Sequence, residues 1–461
     1  MICFKGGTVV SAKESFPADV LVDGERIVRV IRAGEQADIP AGAEVIDVTG
    51  KLLFPGFIDA HTHFDLHVAG TVTCDDFASG TAAAIAGGTT MIIDMGTQYR
   101  GETLREGMRN WLDKAAAGVS CDFSMHMSIT DWNEEARLQC QDMMDEGITT
   151  FKVYMTYDTQ LTDKEIFEIL QRLREVGATT GCHCENAGMI DALREEFMKD
   201  HRAKEVRSHY LTRPAQAEAE AIHRYLRLAE VADCPVIDVH LTCEEGLNEI
   251  REARKRGVRI YAETCPQYLT MDDSLYELPG FEGAKYVIAP PLRKKKDQDA
   301  LWAAIASGEI QTVCTDHCAF TTEQKKLGID DFRKIPGGMP GVETRGEVMF
   351  SEGVVKGRIT KEQYCAVLSE NVARLYGCYP GKGVIAEGSD ADIVVLNPQG
   401  KKTISVKSQV SKCDYAPLEG TQITGTIEQV FLRGKKAAED GAVVTPSLGR
   451  FIRRHPPDVA L

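Results

Sequence analysis

Leu52-Leu53-Phe54-Pro55-Gly56-Phe57-Ile58-Asp59-Ala60-His61-Thr62-His63 is the stretch on which the fold turns. Ahead of Pro55 the chain reads as short β segments joined by turns. Beyond it, short apolar runs alternate with amphipathic helices. In an extended segment residues i and i+2 share a face, so His61 and His63 leave the end of an apolar run on one side. The same kind of run recurs at 57–61, 89–94, 121–127, 150–154, 179–185, 235–241, 259–265 and 311–316. Strands alternating with helices in this way signal repeated βα units around a parallel sheet. Eight units fit a (β/α)8 TIM barrel with insertions better than an open sheet.

The intervening helices carry their own punctuation. Thr162 and Glu165 form a capping box, Ile166, Ile169, Leu170, Leu173 and Val176 make one apolar face, and Gly177 stops the helix. Thr242 and Glu245 repeat the start signal ahead of Leu247 and Ile250. Working outward, residues 1–52 contain β segments at 8–10, 20–22, 27–31 and 45–48, with Asp23-Gly24 as a hairpin turn. After Gly383, strands return at 392–396, 403–406 and 427–432. Neither end has enough strands to bury a core alone, so the two are expected to pair into one small β-sandwich. The expected division is 1–52 and 383–461 for the sandwich and tail, with 53–382 as the barrel.

At 461 residues, 43% hydrophobic and 26% charged, the composition is that of a folded globular chain. A net charge of −16 repels phosphate backbones and anionic lipid, which disfavours nucleic acid and membrane partners. No run approaches the ~18 apolar residues of a membrane span, and residues 1–10 lack a basic segment followed by an apolar one. A cytoplasmic location is the expectation. The 14 cysteines are dilute and lie mostly in apolar runs, as in Gly181-Cys182-His183-Cys184, so they read as reduced and buried. On a strand, Cys182 and Cys184 face away from anything His183 binds.

A barrel holds its chemistry at the C-terminal ends of its strands. His61 and His63 close the first run, Lys152 lies in the fourth, His183 in the fifth, His240 ends the sixth and Asp316 ends the eighth. Hydrogen bonding or capping explains any one of these alone. It does not explain four of only 11 histidines and an aspartate meeting on one rim. Imidazoles with a carboxylate suit catalytic zinc or a similar divalent ion. Lys152 is the odd member, because an ammonium offers three donors and no lone pair and is repelled by cations.

Gly56-Phe57-Ile58-Asp59-Ala60-His61-Thr62-His63, Phe151-Lys152-Val153-Tyr154, Glu263-Thr264-Cys265-Pro266-Gln267-Tyr268-Leu269, Thr315-Asp316-His317-Cys318 and Pro340-Gly341-Val342-Glu343 resemble the cyclic-amide hydrolases of the amidohydrolase superfamily. Within these the chain looks most like the dihydropyrimidinase and hydantoinase branch. The resemblance extends to Asp414-Tyr415-Ala416-Pro417-Leu418-Glu419-Gly420 and Gly449-Arg450-Phe451. It implies that Lys152 carries a CO2-derived carbamate bridging two zinc ions, with His61, His63 and Asp316 on the more buried ion and His183 and His240 on the other. It also implies hydrolytic opening of a dihydropyrimidine or 5-substituted hydantoin to an N-carbamoyl amino acid. Asp316 would carry the proton, and Tyr157 would steady the oxyanion beside a metal.

Two substrate-flanking positions depart from the family pattern. Ala289 stands where Ser is usual before Pro290-Pro291, and Gly337 stands where Asn is usual. In the relatives these positions hold the ring amide chiefly through backbone groups, which Ala289 and Gly337 retain. The second run ends Asp94-Met95, where relatives commonly have His after the Asp. A dihydroorotase would need a cation two residues after the second His, where Asp65 stands. Allantoinase is the alternative activity, and a non-catalytic assembly homologue is the alternative from another class. Phe64, Leu66, Met95 and Tyr99 are expected to wall the substituent side of the ring. Residues 450–461 are expected to form an extended arm, which in the implied homotetramer reaches a neighbour.

Overall fold

The computed structural model describes residues 1–35 and 39–456. Eight parallel strands, Phe57–Thr62, Thr89–Thr97, Asp122–Ser128, Thr150–Tyr154, Thr179–His183, Val236–Asp238, Ile260–Thr264 and Thr312–Val313, pair in chain order. Each falls on an expected run. The first strand is buried at every position, because one face meets the barrel interior and the other the surrounding helices.

The eighth strand is only two residues long, so little ladder is available to close it on the first. Isolated backbone bonds and side chains stitch the seam instead. Beyond the bridge between Thr62 and His317, the His63 amide donates to His317 O at 2.8 Å, and the Thr315 hydroxyl donates to Asp59 Oδ2 at 2.6 Å. Arg345, fully buried, donates to Ile58 O at 2.8 Å and Val313 O at 3.0 Å, one carbonyl on each side of the join.

The helix Asp163–Val176 is capped by the expected Thr162 and Glu165 box and ends on Gly177 at φ +74°, a left-handed turn that costs glycine little. The second expected box does not form. Cys243 caps the helix Glu244–Lys255, its Sγ accepting from the Gly246 amide at 3.3 Å. The Thr242 hydroxyl instead donates to Glu218 and accepts from Arg293 Nε at 2.9 Å. A buried carboxylate and guanidinium offer it stronger hydrogen bonds than a helix amide does.

The two chain ends join in one nine-stranded sheet, in which Leu52–Pro55 from the N-terminal part pairs with Ile393–Thr403 from the C-terminal part. Strand Ile2–Val10 lies three places along from Gln422–Leu432, which would be about 14 Å in a flat sheet. Yet the Phe4 and Phe431 rings, one from each, meet edge to face at 4.8 Å. The sheet therefore curls over its own apolar face into a sandwich around Val9, Val20, Ile27, Leu53 and Ile393. The strand expected at 403–406 is the end of Ile393–Thr403, followed by a 3-10 turn, Val406–Ser408.

A buried ion cluster ties this sandwich to the base of the barrel. Lys382 Nζ lies 2.8 Å from Asp122, 3.0 Å from Asp390 and 2.6 Å from Asp392, so the three-carboxylate cluster already holds a cation. The expected arm packs, as far as it is described, on its own barrel. Phe451 bridges to Phe123, and the buried Arg454 donates to Ser124 Oγ and Thr150 Oγ1, each at 2.9 Å. The arm's last five residues lie outside the described residues. All 14 cysteines are free thiols, 13 of them buried. No helix among the described residues is long and apolar enough to cross a membrane.

Candidate active site

The first strand delivers His61 and, just past its end, His63. Lys152 sits mid-strand in Thr150–Tyr154, His183 ends Thr179–His183, and His240 and Asp316 follow the sixth and eighth strands by two and three residues. All six meet at the barrel mouth. His61 Nε2 and His63 Nε2 lie 3.2 and 3.0 Å from Asp316 Oδ1, and one ligand atom from each of the three falls within 4.8 Å of the others. The His61 ring is 5.4 Å from that of His240, which is 4.5 Å from that of His183. Register places Lys152 opposite Gly181, where a Cβ would strike Val239 Cγ1 at 2.8 Å and reach the lysine stem only at 3.7 Å.

Two carboxylates that sequence reasoning did not single out orient these rings. Glu263 Oε1 lies 2.6 Å from His61 Nδ1, leaving Nε2 toward the cluster, and Glu185 Oε2 lies 2.8 Å from His183 Nε2. Glu185 is in turn paired with the buried Arg213. A carboxylate behind a histidine fixes its tautomer and raises its basicity, the usual support of a metal ligand. The His183-x-Glu185 spacing was a legible signal, since i and i+2 share a strand face. The pairing of His61 with Glu263, 202 residues apart, carries no local signal. Asp94 holds the loop after His63, accepting from Thr62 Oγ1 at 2.7 Å, the Phe64 amide at 3.1 Å and Trp111 Nε1 at 2.9 Å.

Burial and neighbouring charge pull these groups in different directions. Burial lowers the Lys152 pKa, against the pull of Asp316 and Glu263. Burial also lowers His183 and, further, His240, whose neighbours His183, Lys152 and His61 add to the effect. Burial would raise the Asp316 carboxyl, but His61, His63 and Lys152 outweigh it and hold it at about 2. Lys152 Nζ and His63 Nδ1 are buried with no hydrogen-bond partner among the described residues. An unpaired buried amine costs stability unless something absent from the chain completes it. Imidazoles, a carboxylate and an amine free to take up CO2 make a donor set that fits two divalent ions.

Tyr157 stands over this group, its ring 4.8 Å from that of His183, and burial raises its phenol. Tyr157, His240 and Asp316 have φ of +71°, +45° and +53°, the strained left-handed region for side-chain-bearing residues, which collects at functional sites. Ala289 and Gly337 lie on neighbouring loops, a Cβ on Gly337 meeting only the Ala289 amide at 4.0 Å. Two expected wall residues are elsewhere. Phe64 is fully buried against Phe77 and the glycine face at Gly80, and Met95 points into a small cavity beneath Lys152. Phe64 closely follows an apolar strand and Met95 lies within one, so both are drawn into the core. Leu66 and Tyr99 remain half-buried, Tyr99 packing on Trp111.

Residues 52–437 match the amidohydrolase family. A D-hydantoinase from Geobacillus stearothermophilus is 41% identical over 98% of this chain and 96% of its own length. A D-phenylhydantoinase from Escherichia coli is 39% identical over 99% of this chain and 98% of its own. The crystal structure of a dihydropyrimidinase from Brevibacillus agri superposes with a TM-score of 0.96 at 41% identity, covering 99% of both chains. Strand order, the rim of histidines and near full-length similarity agree: the chain belongs to the amidohydrolase family, in its hydantoinase and dihydropyrimidinase branch.

Proposed function

We propose that this protein opens a cyclic amide, a dihydropyrimidine or a 5-substituted hydantoin, by hydrolysis to the N-carbamoyl amino acid. The observation that carries the reading is Lys152: buried, with no hydrogen-bond partner among the described residues, and within electrostatic reach of Asp316, His183 and His240. In its neutral form, which burial favours, the amine would attack CO2, forming an N–C bond and losing a proton to leave an anionic carbamate where an ammonium would be repelled. That group, with His61, His63 and Asp316, would hold one divalent ion, and with His183 and His240 a second, zinc being the metal these ligands suit. Bound ions would supply Lewis acidity, activating a water and polarising the ring carbonyl.

The chain's own groups do the rest. Asp316, held ionised by its neighbours, takes a proton from the attacking water and returns it to the leaving ring nitrogen. The Tyr157 phenol, protonated at neutral pH and at the exposed rim, donates to the carbonyl oxygen as charge develops there. The backbone of Ala289 and Gly337 pairs with the ring amide. The similar proteins are named as hydantoinases and dihydropyrimidinases, which favours this reading over allantoinase. A homotetramer in the cytoplasm completes the reading, supported by the sequence resemblance and the free thiols. A turnover panel of dihydrouracil, hydantoin, 5-phenylhydantoin, allantoin and dihydroorotate with zinc-loaded protein tests it. Turnover of either of the last two alone would refute it.

A further inference from the structure

Around the two ring-binding loops the carbonyls are tied down one after another. His209 Nε2 lies 2.7 Å from Ile288 O, and the Tyr268 hydroxyl donates to Pro290 O at 2.8 Å. The Gly338 amide donates to Val287 O at 2.9 Å, joining one loop to the other. Between these anchors, the peptide N–H and C=O of Ala289 and Gly337 make no hydrogen bond among the described residues. Ala289 is half-buried and Gly337 exposed, so these free edges are open to a ligand.

At the centre of the anchors is Lys325, ending the short helix Thr322–Lys325 and 1% exposed. Its ammonium has three donors, and it spends them on Val287 O at 2.9 Å, Pro336 O at 2.7 Å and Gly338 O at 2.7 Å. Two of these carbonyls bracket Gly337, and the third lies two residues before Ala289. No carboxylate among the described residues pairs with it and burial lowers its pKa to about 7, so the three loop carbonyls, with the Phe320 ring 5.7 Å away, are what favour the charged form. Gly338 cannot yield to another residue here, because at φ +146° any Cβ would strike Cys318 O.

We infer that Lys325 is a positioning residue for the ring amide: its ammonium locks the loops of Ala289 and Gly337 at the spacing at which their unpaired peptide groups receive the ring. The inference rests on the ring-opening reading above. It assigns Lys325 to binding and leaves the chemistry at the metal ligands untouched.

Lys325→Met removes all three donors and the charge, and Lys325→Gln keeps two donors. Full-length zinc-loaded variants are assayed with hydantoin and dihydrouracil, alongside metal content and amide exchange across residues 287–291 and 336–339. Losing hydrogen bonds to a charged donor should raise KM about tenfold or more in Lys325→Met, and less in Lys325→Gln, with kcat within about threefold. Metal content should stay as in wild type, and the Gly338 amide should exchange faster. A folded Lys325→Met with unchanged KM, or with kcat lowered and KM kept, overturns the inference. So does failure of both variants to fold, which would assign Lys325 to the fold alone. Exchange needs no turnover: if wild type opens neither ring the activity reading falls, while the exchange difference still decides the clamp.

Discussion

Replacing Lys152 with methionine should stabilise the stripped protein and ruin the loaded one. The side chains have similar length, and Met places a methyl where the amine lies buried without a partner. An unsatisfied buried polar group costs about 1–3 kcal/mol, so metal-free Lys152→Met is expected to be more stable than metal-free wild type by an amount of that order. Metal reverses the order. At a free metal concentration a hundred times its dissociation constant, binding adds about 2.7 kcal/mol per site to wild type. The variant, lacking the bridging group, gains far less. The assay is urea unfolding of chelator-stripped and zinc-loaded samples, with metal content and hydantoin turnover measured in parallel. Lys152→Ala, which opens a cavity at the same place, should regain some metal and turnover with acetate. A stripped Lys152→Met less stable than stripped wild type, or one that keeps two metals and full turnover, would refute the reasoning.

Asp316→Asn keeps an oxygen ligand and removes the base, so metal should be largely retained while turnover falls by about 10²-fold or more, read by metal analysis and steady-state kinetics. Glu263→Gln should weaken metal affinity about 10- to 100-fold through the His61 ring it orients, read by competition with a chelating dye. His209 is kept neutral, with its pKa lowered from 6.5 to about 3 by burial and then Arg213. The unfolded chain then binds a proton that the folded one refuses, so stability is lost as pH falls from 6.5 toward 3, by several kcal/mol at most at ~1.4 kcal/mol per unit. His209→Gln, which still donates to Ile288 O, should flatten that acid limb in pH-dependent unfolding, and an unchanged limb would show that His209 does not set it.

The barrel was readable because each strand is a short apolar run cut off by a helix start or a glycine, and because histidine is rare enough for its placement to carry information. Other features depend on partners distant in sequence. Thr242 has the form of a cap and is claimed by Glu218 and Arg293; Glu263 looks like any strand acid until the barrel brings it to His61. Phe64 and Met95 lie beside the catalytic loops in sequence, yet Phe64 turns onto Gly80 and Met95 turns inward. The left-handed backbone at Tyr157, His240 and Asp316 has no residue signature, since none of them is glycine. Gly6 and Gly7 concealed the length of strand Ile2–Val10, where they sit at a bulge that glycine tolerates.

The stitched join between the first and eighth strands gives a bound cation a mechanical duty. His63 and Asp316 stand on opposite sides of that join and 253 positions apart along the chain. An ion gripping both would act as a rivet through the hoop, part of its binding energy being spent on holding the circle closed. Loading and closure would then be coupled, and chelation should loosen the protein first along this line, where Arg345, Asp59 and the backbone bonds to His317 are left to resist opening.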